Sequence, residues 1–193
     1  KSSGKSRDRE LEITEALYAL LSERAPAARP LPKEESLARL ADIYFRSHSP
    51  ATLQDFAWWS GLPLTEARSG LEAAKEKLVA ASIGEKTYWI NPACSDAPGA
   101  PPKTSVLFLP AFDEYIIAYS DRSAIIPAGC GKAISSNGVF RPTIVVNGQV
   151  AGIWKKTASK AAPIQADFFA PPGKAVQEAA GHAMSRVSKL WAP

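Results

Sequence analysis

Two neighbouring carboxylates, Asp113 and Glu114, are the residues of this chain whose types could support acid–base chemistry. They lie in an apolar stretch that we interpret as strand, and adjacent residues on a strand point to opposite faces of a sheet. The two groups therefore cannot easily share a substrate. We predict that Asp113 is a structural acceptor, for Arg122 or Arg141, and that Asp121 is structural as well.

The other residues that could carry chemistry lack partners at a useful spacing. His48 and His182 are isolated, and Cys94 and Cys130 have neither metal-ligand spacing nor the pattern of a disulfide framework. A serine or cysteine nucleophile needs a nearby base, and we find no such pairing. The sequence therefore predicts no catalytic residue, no metal ligand and no cofactor.

Basic residues beside an aromatic ring form the best nucleic-acid signal. Arg141 lies before the turn Asn147–Gly148, and Trp154, Lys155 and Lys156 lie on the strand predicted after it. Cations bind phosphate and a ring can pack on sugar or base. We predict that these four residues contact DNA. The alternative is a solvated hairpin edge on which lysines prevent aggregation.

The charge distribution supports the same half of the chain. The net charge is +4, with 13 Lys and Arg against 14 Asp and Glu in residues 1–96, and 10 against 5 in residues 97–193. A basic surplus can mark a nucleic-acid surface, although a surplus of this size is also common as a contribution to solubility. No run of about 18 apolar residues is present, so we expect no membrane span and a cytoplasmic location.

The first half reads as helices. Apolar residues at helical spacing predict helices at 9–23 and 33–46. Thr52 is predicted to cap a short helix at 53–60, and Thr65 is predicted to cap the next one after a turn at 61–63. This is a helix-turn-helix pattern, and strand-forming residues after Gly84 predict a hairpin wing.

The predicted recognition helix is a weak candidate for reading DNA. Arg68 and Lys75 are its candidate DNA contacts, and Arg122 in the second half is a further one. Three carboxylates of the same helix would face phosphates, however, at Glu66, Glu72 and Glu76. We therefore favour a scaffold or interface role for the winged helix and expect Arg141, Lys155 and Lys156 to matter more for DNA binding.

The second half reads as a sheet. Short apolar runs at 106–109 and 115–119, and longer strand patterns at 139–146, 149–157 and 164–169, predict an antiparallel, barrel-like domain. A closing helix is predicted at 175–190. The fold class is α+β. The predicted organisation is a disordered segment at 1–8, a winged-helix domain at 9–96, a proline-rich linker at 97–103 and a barrel-like domain at 104–193.

Four segments carry a resemblance to a known family. The stretches 52–62, 107–113, 119–122 and 137–142 resemble the bacterial winged-helix DNA-binding proteins related to the AlkZ DNA glycosylases. The resemblance spans Glu10 to the C-terminus. It implies tandem winged-helix modules followed by a C-terminal β-barrel. The glycosylase members remove alkylated or crosslinked bases with a Gln-x-Gln or Gln-x-Asp motif in an N-terminal module.

This chain lacks that motif at an equivalent place. Gln54 is followed directly by Asp55, which is the wrong spacing, and Gln165-Ala-Asp167 has the right spacing but lies late in the second half. Met184 is the one methionine, so we expect a part of a longer protein or a processed form.

Three functions follow as hypotheses. The first is weak, sequence-nonspecific binding of double-stranded DNA by the C-terminal portion of a larger protein of DNA-repair type, with missing N-terminal modules as further partners. The second is a non-catalytic assembly or regulatory module whose winged helix binds protein. The third is an intact glycosylase, which the missing motif disfavours for this chain alone.

Overall fold

The computed structural model of this chain describes residues 19–25, 29–94, 103–159 and 163–191. The chain divides into residues 1–32 and residues 33–193. In the first unit, helix α1 spans Leu21–Arg24. Most of the helix predicted at 9–23, and the segment predicted to be disordered at 1–8, lie outside the described residues.

Helix α2, Lys33–His48, opens the second unit. It buries Leu37, Ala41, Tyr44 and Phe45, which are spaced four, three and one residues apart and so occupy one face. The predicted helix was two residues shorter. Of the apolar residues whose spacing predicted it, Leu37, Ala41 and Tyr44 are buried and Leu40 is partly buried.

Helices α3, Leu53–Ser60, and α4, Leu64–Ala74, follow. The predicted cap of α3 is confirmed, because the Thr52 hydroxyl accepts from the Asp55 amide, 3.1 Å away. The predicted cap at Thr65 is wrong. The helix begins one residue earlier, after Pro63, and no side chain caps it. Pro63 occupies the N-cap position, and its side chain has no oxygen that could accept from the first helical amides.

A hairpin follows α4 and a 3-10 turn at Lys75–Lys77. Its strands are β1, Val79–Ile83, and β2, Lys86–Ile90. Gly84 supplies the left-handed backbone that the turn requires. Trp89 of β2 exchanges two backbone hydrogen bonds with Ala51, which fixes the hairpin against the start of α3.

A four-stranded antiparallel sheet forms the centre of the second half. Its strands are β3 at Val106–Leu109, β6 at Thr143–Val146, β7 at Gln149–Lys156 and β8 at Ile164–Phe168, in the order β3-β6-β7-β8. Helix α7, Lys174–Ser188, packs on one face. The α+β class is confirmed, but the barrel-like closure is not found: within the described residues β3 and β8 end the sheet as unpaired edges.

Two predicted strands of this half are wrong. Residues 115–119 do not form a strand. They belong to a helical turn, α5 at Glu114–Ile117, which Asp113 caps. The long strand predicted at 139–146 is interrupted at Pro142, because proline has no N–H for a ladder. Short helix α6, Gly131–Ile134, and the small hairpin of β4, Ser135–Ser136, and β5, Val139–Phe140, precede the break.

Three apolar clusters form the cores of residues 33–193. The first packs α2, α3 and α4 together, the second lies between the sheet and α7, and the third covers the opposite face of the sheet with α5 and α6. Residues 97–102 of the predicted linker lie outside the described residues, so the domain boundary there stays a prediction. Within the described residues, no helix is long and apolar enough to cross a membrane.

Candidate nucleic-acid interface

Asp55 joins the helical part to the second half of the chain. It is 4% exposed. One carboxylate oxygen accepts from the Thr52 amide and hydroxyl, at 2.9 and 2.7 Å, and the other accepts from the Ser120 amide and hydroxyl, at 2.9 and 2.8 Å. Burial by itself would raise the pKa of Asp55, but these hydrogen bonds outweigh it and hold the pKa below its ordinary value. We call Thr52, Asp55 and Ser120 the Asp55 clasp.

Aromatic side chains add further bonds across the same junction. The Trp58 indole donates to the Ile117 carbonyl at 2.9 Å, and the Tyr44 hydroxyl donates to the Ala118 carbonyl at 3.1 Å. The Tyr119 hydroxyl donates back to the His48 carbonyl at 2.9 Å. The residues near Trp58 and Tyr119 that carried the family resemblance therefore position the two parts of the fold.

The adjacent carboxylates take separate structural roles. Asp113 accepts from the Tyr115 amide at 2.9 Å, which is a backbone partner and not the predicted Arg122 or Arg141. Glu114 lies 3.3 Å from His48 Nε2 and accepts from the Trp59 indole at 3.2 Å. The two carboxylates are therefore engaged by separate neighbours.

Asp121 pairs with Lys86 at the hairpin. The two side chains form an ion pair, and Asp121 also accepts from the Ser123 amide at 2.9 Å. The hydrogen bond from Lys86 and those from Ser123 hold the pKa of Asp121 well below its usual range. Asp121 therefore links the hairpin to the segment that follows α5.

A groove of about 1130 Å³ lies between the helix–hairpin surface and the segment 115–125. Its charged lining residues are Asp55, Glu72, Glu85 and Asp121 on the acidic side, with Arg68 and Lys86 on the basic side. Lys86 is already paired with Asp121. Carboxylates outnumber cations here, so the groove does not attract a phosphate backbone.

Most cations of the helical part face a carboxylate. The pairs are Lys33–Glu66 at 2.6 Å, Arg39–Glu35 at 3.6 Å, Lys75–Glu72 at 3.2 Å, Lys77–Asp42 at 3.1 Å and Lys86–Asp121. Lys75 also lies over the Trp89 ring, with its Nζ 5.4 Å from the centroid. Two residues of this surface were predicted to contact DNA. Arg68 is exposed and forms no ion pair among the described residues, and Lys75 is paired with Glu72.

The exposed cations of the second half are different. Among the described residues, Lys132, Arg141 and Lys155 form no ion pair. The Arg141 amide donates to the Ile134 carbonyl at 2.9 Å, and the Trp154 amide donates to the Pro142 carbonyl at 3.1 Å. These bonds place Arg141 between α6, which carries Lys132, and the end of β7, which carries Lys155.

We call Lys132, Arg141 and Lys155 the basic edge. Sequence reasoning missed Lys132, because no local pattern indicates the hydrogen bond between the Arg141 amide and the Ile134 carbonyl. This bond brings α6, and with it Lys132, next to Arg141. Lys156 is exposed on the same strand as Lys155, but it faces the other side of the sheet because neighbouring strand residues alternate.

Trp154 is not available as a nucleic-acid contact. Its side chain is 8% exposed, packs against Phe108 and donates to the Leu109 carbonyl at 2.8 Å. The prediction failed because the strand alternation places Trp154 on the face that α7 covers. Arg122 is also drawn inward, since its guanidinium lies between two aromatic rings, at Trp58 and Phe140. Desolvation lowers the pKa of Arg122.

The pair with glutamine-motif spacing lies on the sheet surface. Gln165 Nε2 donates to both oxygens of Asp167, at 3.1 and 3.3 Å, and both residues are exposed on β8. An exposed amide bonded to a solvated carboxylate encloses no cavity for a base. The described residues also contain no group of three His, Cys, Asp or Glu arranged to hold a metal ion.

The fold and its motifs define the class of protein. The family model described as DNA glycosylase AlkZ-like matches residues 3–190, so this chain belongs to the AlkZ-like DNA glycosylase family, as the sequence resemblance indicated. Among solved structures, the chain is similar to Streptomyces sahachiroi DNA glycosylase AlkZ, with a TM-score of 0.64 and 19% identity over 82% of this chain. It spans 45% of that protein's length. No curated protein sequence matches the chain.

Proposed function

We propose that this chain binds double-stranded DNA as the C-terminal portion of a larger AlkZ-like protein of DNA-repair type. The observation that carries the proposal is the distribution of unpaired positive charge. Residues 33–94 pair most of their cations with carboxylates, whereas the three cations of the basic edge form no ion pair among the described residues. An unpaired exposed cation keeps its full attraction for phosphate.

The contact is to phosphates and carries little sequence preference. Lysine is a flexible point charge, and Arg141 offers a planar fork that matches two phosphate oxygens. The exposed amide opposite Lys155 on β8, that of Gln165, already donates to Asp167, and the basic edge itself consists of cations. Binding therefore has a steep salt dependence and weak discrimination between sequences.

The helical part serves as a scaffold in this proposal. Helices α2, α3 and α4 with the β1–β2 hairpin form a winged helix, and α4 is its recognition helix by position. Glu66 and Glu72 on α4 engage lysines, so its surface is close to neutral. Its aromatic residues and Asp55 are used to hold the second half in place.

Base excision is not assigned to this chain alone. The glutamine motif of the glycosylase relatives is absent from its helical part, and Gln165 with Asp167 lies on an open surface. We expect no release of alkylated bases from duplex DNA by the purified chain. Release above a denatured control, and abolished by a point mutation, would contradict this expectation.

Two matched double variants test where DNA binds. Arg141→Ala with Lys155→Ala removes two cations from the basic edge, and Arg68→Ala with Lys75→Ala removes two from the helical part. Duplex affinity is measured over a salt series. The basic-edge variant should lower the slope of log affinity against log salt by about two, roughly one per lost phosphate contact. The helical variant loses one unpaired cation, Arg68, and one that Glu72 already pairs, Lys75, so it should change the slope by no more than about one.

The reverse ranking would make α4 the reader of DNA and refute the proposal. Absence of duplex binding at low salt would favour the second function, a protein-binding module. The exposed apolar residues Leu64, Val79 and Ile83 on α4 and β1 are the observation that favours this alternative.

A further inference from the structure

Four side chains form a continuous row across the junction of the two halves. The Arg122 guanidinium carbon lies 5.3 Å from the centroid of the Trp58 ring and 5.2 Å from that of Phe140. Phe140 contacts Phe112 edge to face, with ring centroids 5.9 Å apart. We call Trp58, Arg122, Phe140 and Phe112 the aromatic ladder.

Both ends of the aromatic ladder are open to solvent. Trp58 is 54% exposed and Phe112 is 52% exposed. Phe112 adopts a left-handed backbone conformation, with φ of 57°. Bulky residues rarely take this conformation, and glycine or asparagine would fit the turn with less strain. The turn geometry therefore does not explain a phenylalanine here, and its packing against Phe140 leaves half of the side chain uncovered.

The cation in the ladder lacks an acidic partner. Within the described residues Arg122 forms no ion pair, its Nε donates to the Ile116 carbonyl at 2.6 Å, and its Nη2 has no hydrogen-bond partner. A stack of rings around a guanidinium that forms no ion pair attracts groups that are both flat and near a negative charge. Arg141 of the basic edge directly follows Phe140 in the chain, so its backbone lies beside the ladder.

A cavity adjoins the middle of the ladder. It measures about 340 Å³, and Arg122 and Phe140 line it together with the polar residues Ser123 and Ser135. This volume lies at the lower end of the range for small-ligand sites, about 300–1,000 Å³. A flat heterocycle with hydrogen-bonding edges fits such a lining.

We propose that the aromatic ladder is a stacking platform for the bases of an unpaired stretch of DNA, whose phosphates lie along the basic edge. Bases in a duplex already stack on each other, so an exposed protein ring can stack on a base only where the strand is unpaired. The inference rests on the proposed DNA-binding function and adds a preference for unpaired DNA at this surface.

The test compares a short oligodeoxythymidylate with a duplex of the same length, by fluorescence anisotropy of an end label. Phe112→Asn removes the ring and keeps a residue that tolerates the left-handed turn. It should weaken binding of the single strand by about fivefold or more, at the lower end of what one base–aromatic stack contributes. Binding of the duplex should stay within about twofold, since it depends on phosphate contacts.

Two controls keep the result specific. Phe112→Tyr retains a ring and should bind the single strand like the unchanged chain. Val139→Ala removes an exposed apolar side chain next to Phe140, outside the ladder, and should have no effect on either DNA. Thermal unfolding of each variant confirms that the fold is intact.

Each outcome decides the inference. If Phe112→Asn binds the single strand unchanged, or binds both DNAs equally more weakly, the proposed stacking role of the aromatic ladder is refuted. If duplex binding still responds to the loss of Arg141 and Lys155 in that case, the proposed function stands without it. If the unchanged chain binds neither DNA at low salt, the proposed function and the ladder both fail.

Discussion

Replacing Asp55 with asparagine should destabilise the fold well beyond the effect of an ordinary surface substitution. The carboxylate accepts four hydrogen bonds, two on each oxygen, from Thr52 and Ser120. The asparagine amide nitrogen replaces one acceptor oxygen with a donor. A hydroxyl can rotate to accept from it, but one backbone amide, that of Thr52 or of Ser120, then loses its acceptor.

The magnitude follows from these lost bonds. A buried backbone amide without an acceptor costs about 1–3 kcal/mol, and each of the two remaining bonds loses about 1 kcal/mol when its acceptor is no longer charged. Relief of burying a charge offsets part of the sum, which leaves about 3 kcal/mol. For a chain of this size each kcal/mol lowers Tm by about 2–4 °C, so Asp55→Asn should unfold roughly 6–12 °C lower.

The assay is thermal unfolding followed by circular dichroism at neutral pH, with hydrogen exchange at the Thr52 and Ser120 amides. Asp42→Asn is the matched control, because Asp42 pairs with Lys77 at the surface and such pairs contribute about 0–1 kcal/mol. If the two variants have the same Tm within error, the Asp55 clasp contributes no more than a surface pair and the reasoning is wrong.

Two further predictions use the same measurement. The hydrogen bonds hold the pKa of Asp55 below its ordinary value of 3.8. The contribution of this carboxylate to folding stability is therefore complete above that value and is lost as pH falls through the folded pKa. The Tm difference between the unchanged chain and Asp55→Asn should shrink as pH is lowered below about 4, and a constant difference would contradict this. Gly70→Ala should lower stability by about 1–3 kcal/mol before any gain in helix propensity, since the new Cβ would lie 2.8 Å from the Leu37 carbonyl oxygen. Gly181→Ala on α7, where nothing lies within 4 Å of the new Cβ, should instead be neutral or stabilising by up to about 1 kcal/mol. Equal effects at the two glycines would refute the packing argument.

Local signals made much of the fold predictable. Thr52 three residues before Asp55 indicates the start of a helix. Asn147–Gly148 indicates a tight hairpin turn, and both residues have a left-handed backbone in the structure. Each signal depends on neighbours within a few residues, so no tertiary information is needed. The same holds for α3, whose bounds match the prediction, Leu53–Ser60.

The sequence signals failed where the partner is distant in the chain. Trp154 was predicted at the surface beside Lys155, and alternation along the strand shows only that the two point to opposite faces. Which face is buried depends on α7, some twenty residues later. The acceptor role of Asp55 towards Ser120 spans 65 residues and has no local pattern either.

The contacts that join the two halves also determine where positive charge remains. Asp121 of the second half pairs with Lys86 of the hairpin, and Glu114 faces His48 of α2. The second half has few other carboxylates, and Asp113 and Asp167 already accept hydrogen bonds from their own neighbours. Because these four acidic groups face the helical part or accept hydrogen bonds from their own neighbours, the cations of the basic edge form no ion pair within the part of the chain that the structure describes. The distribution of charge therefore has two consequences: acidic groups of the second half bind the helical part at the junction, and the unpaired cations of the basic edge form the proposed DNA surface.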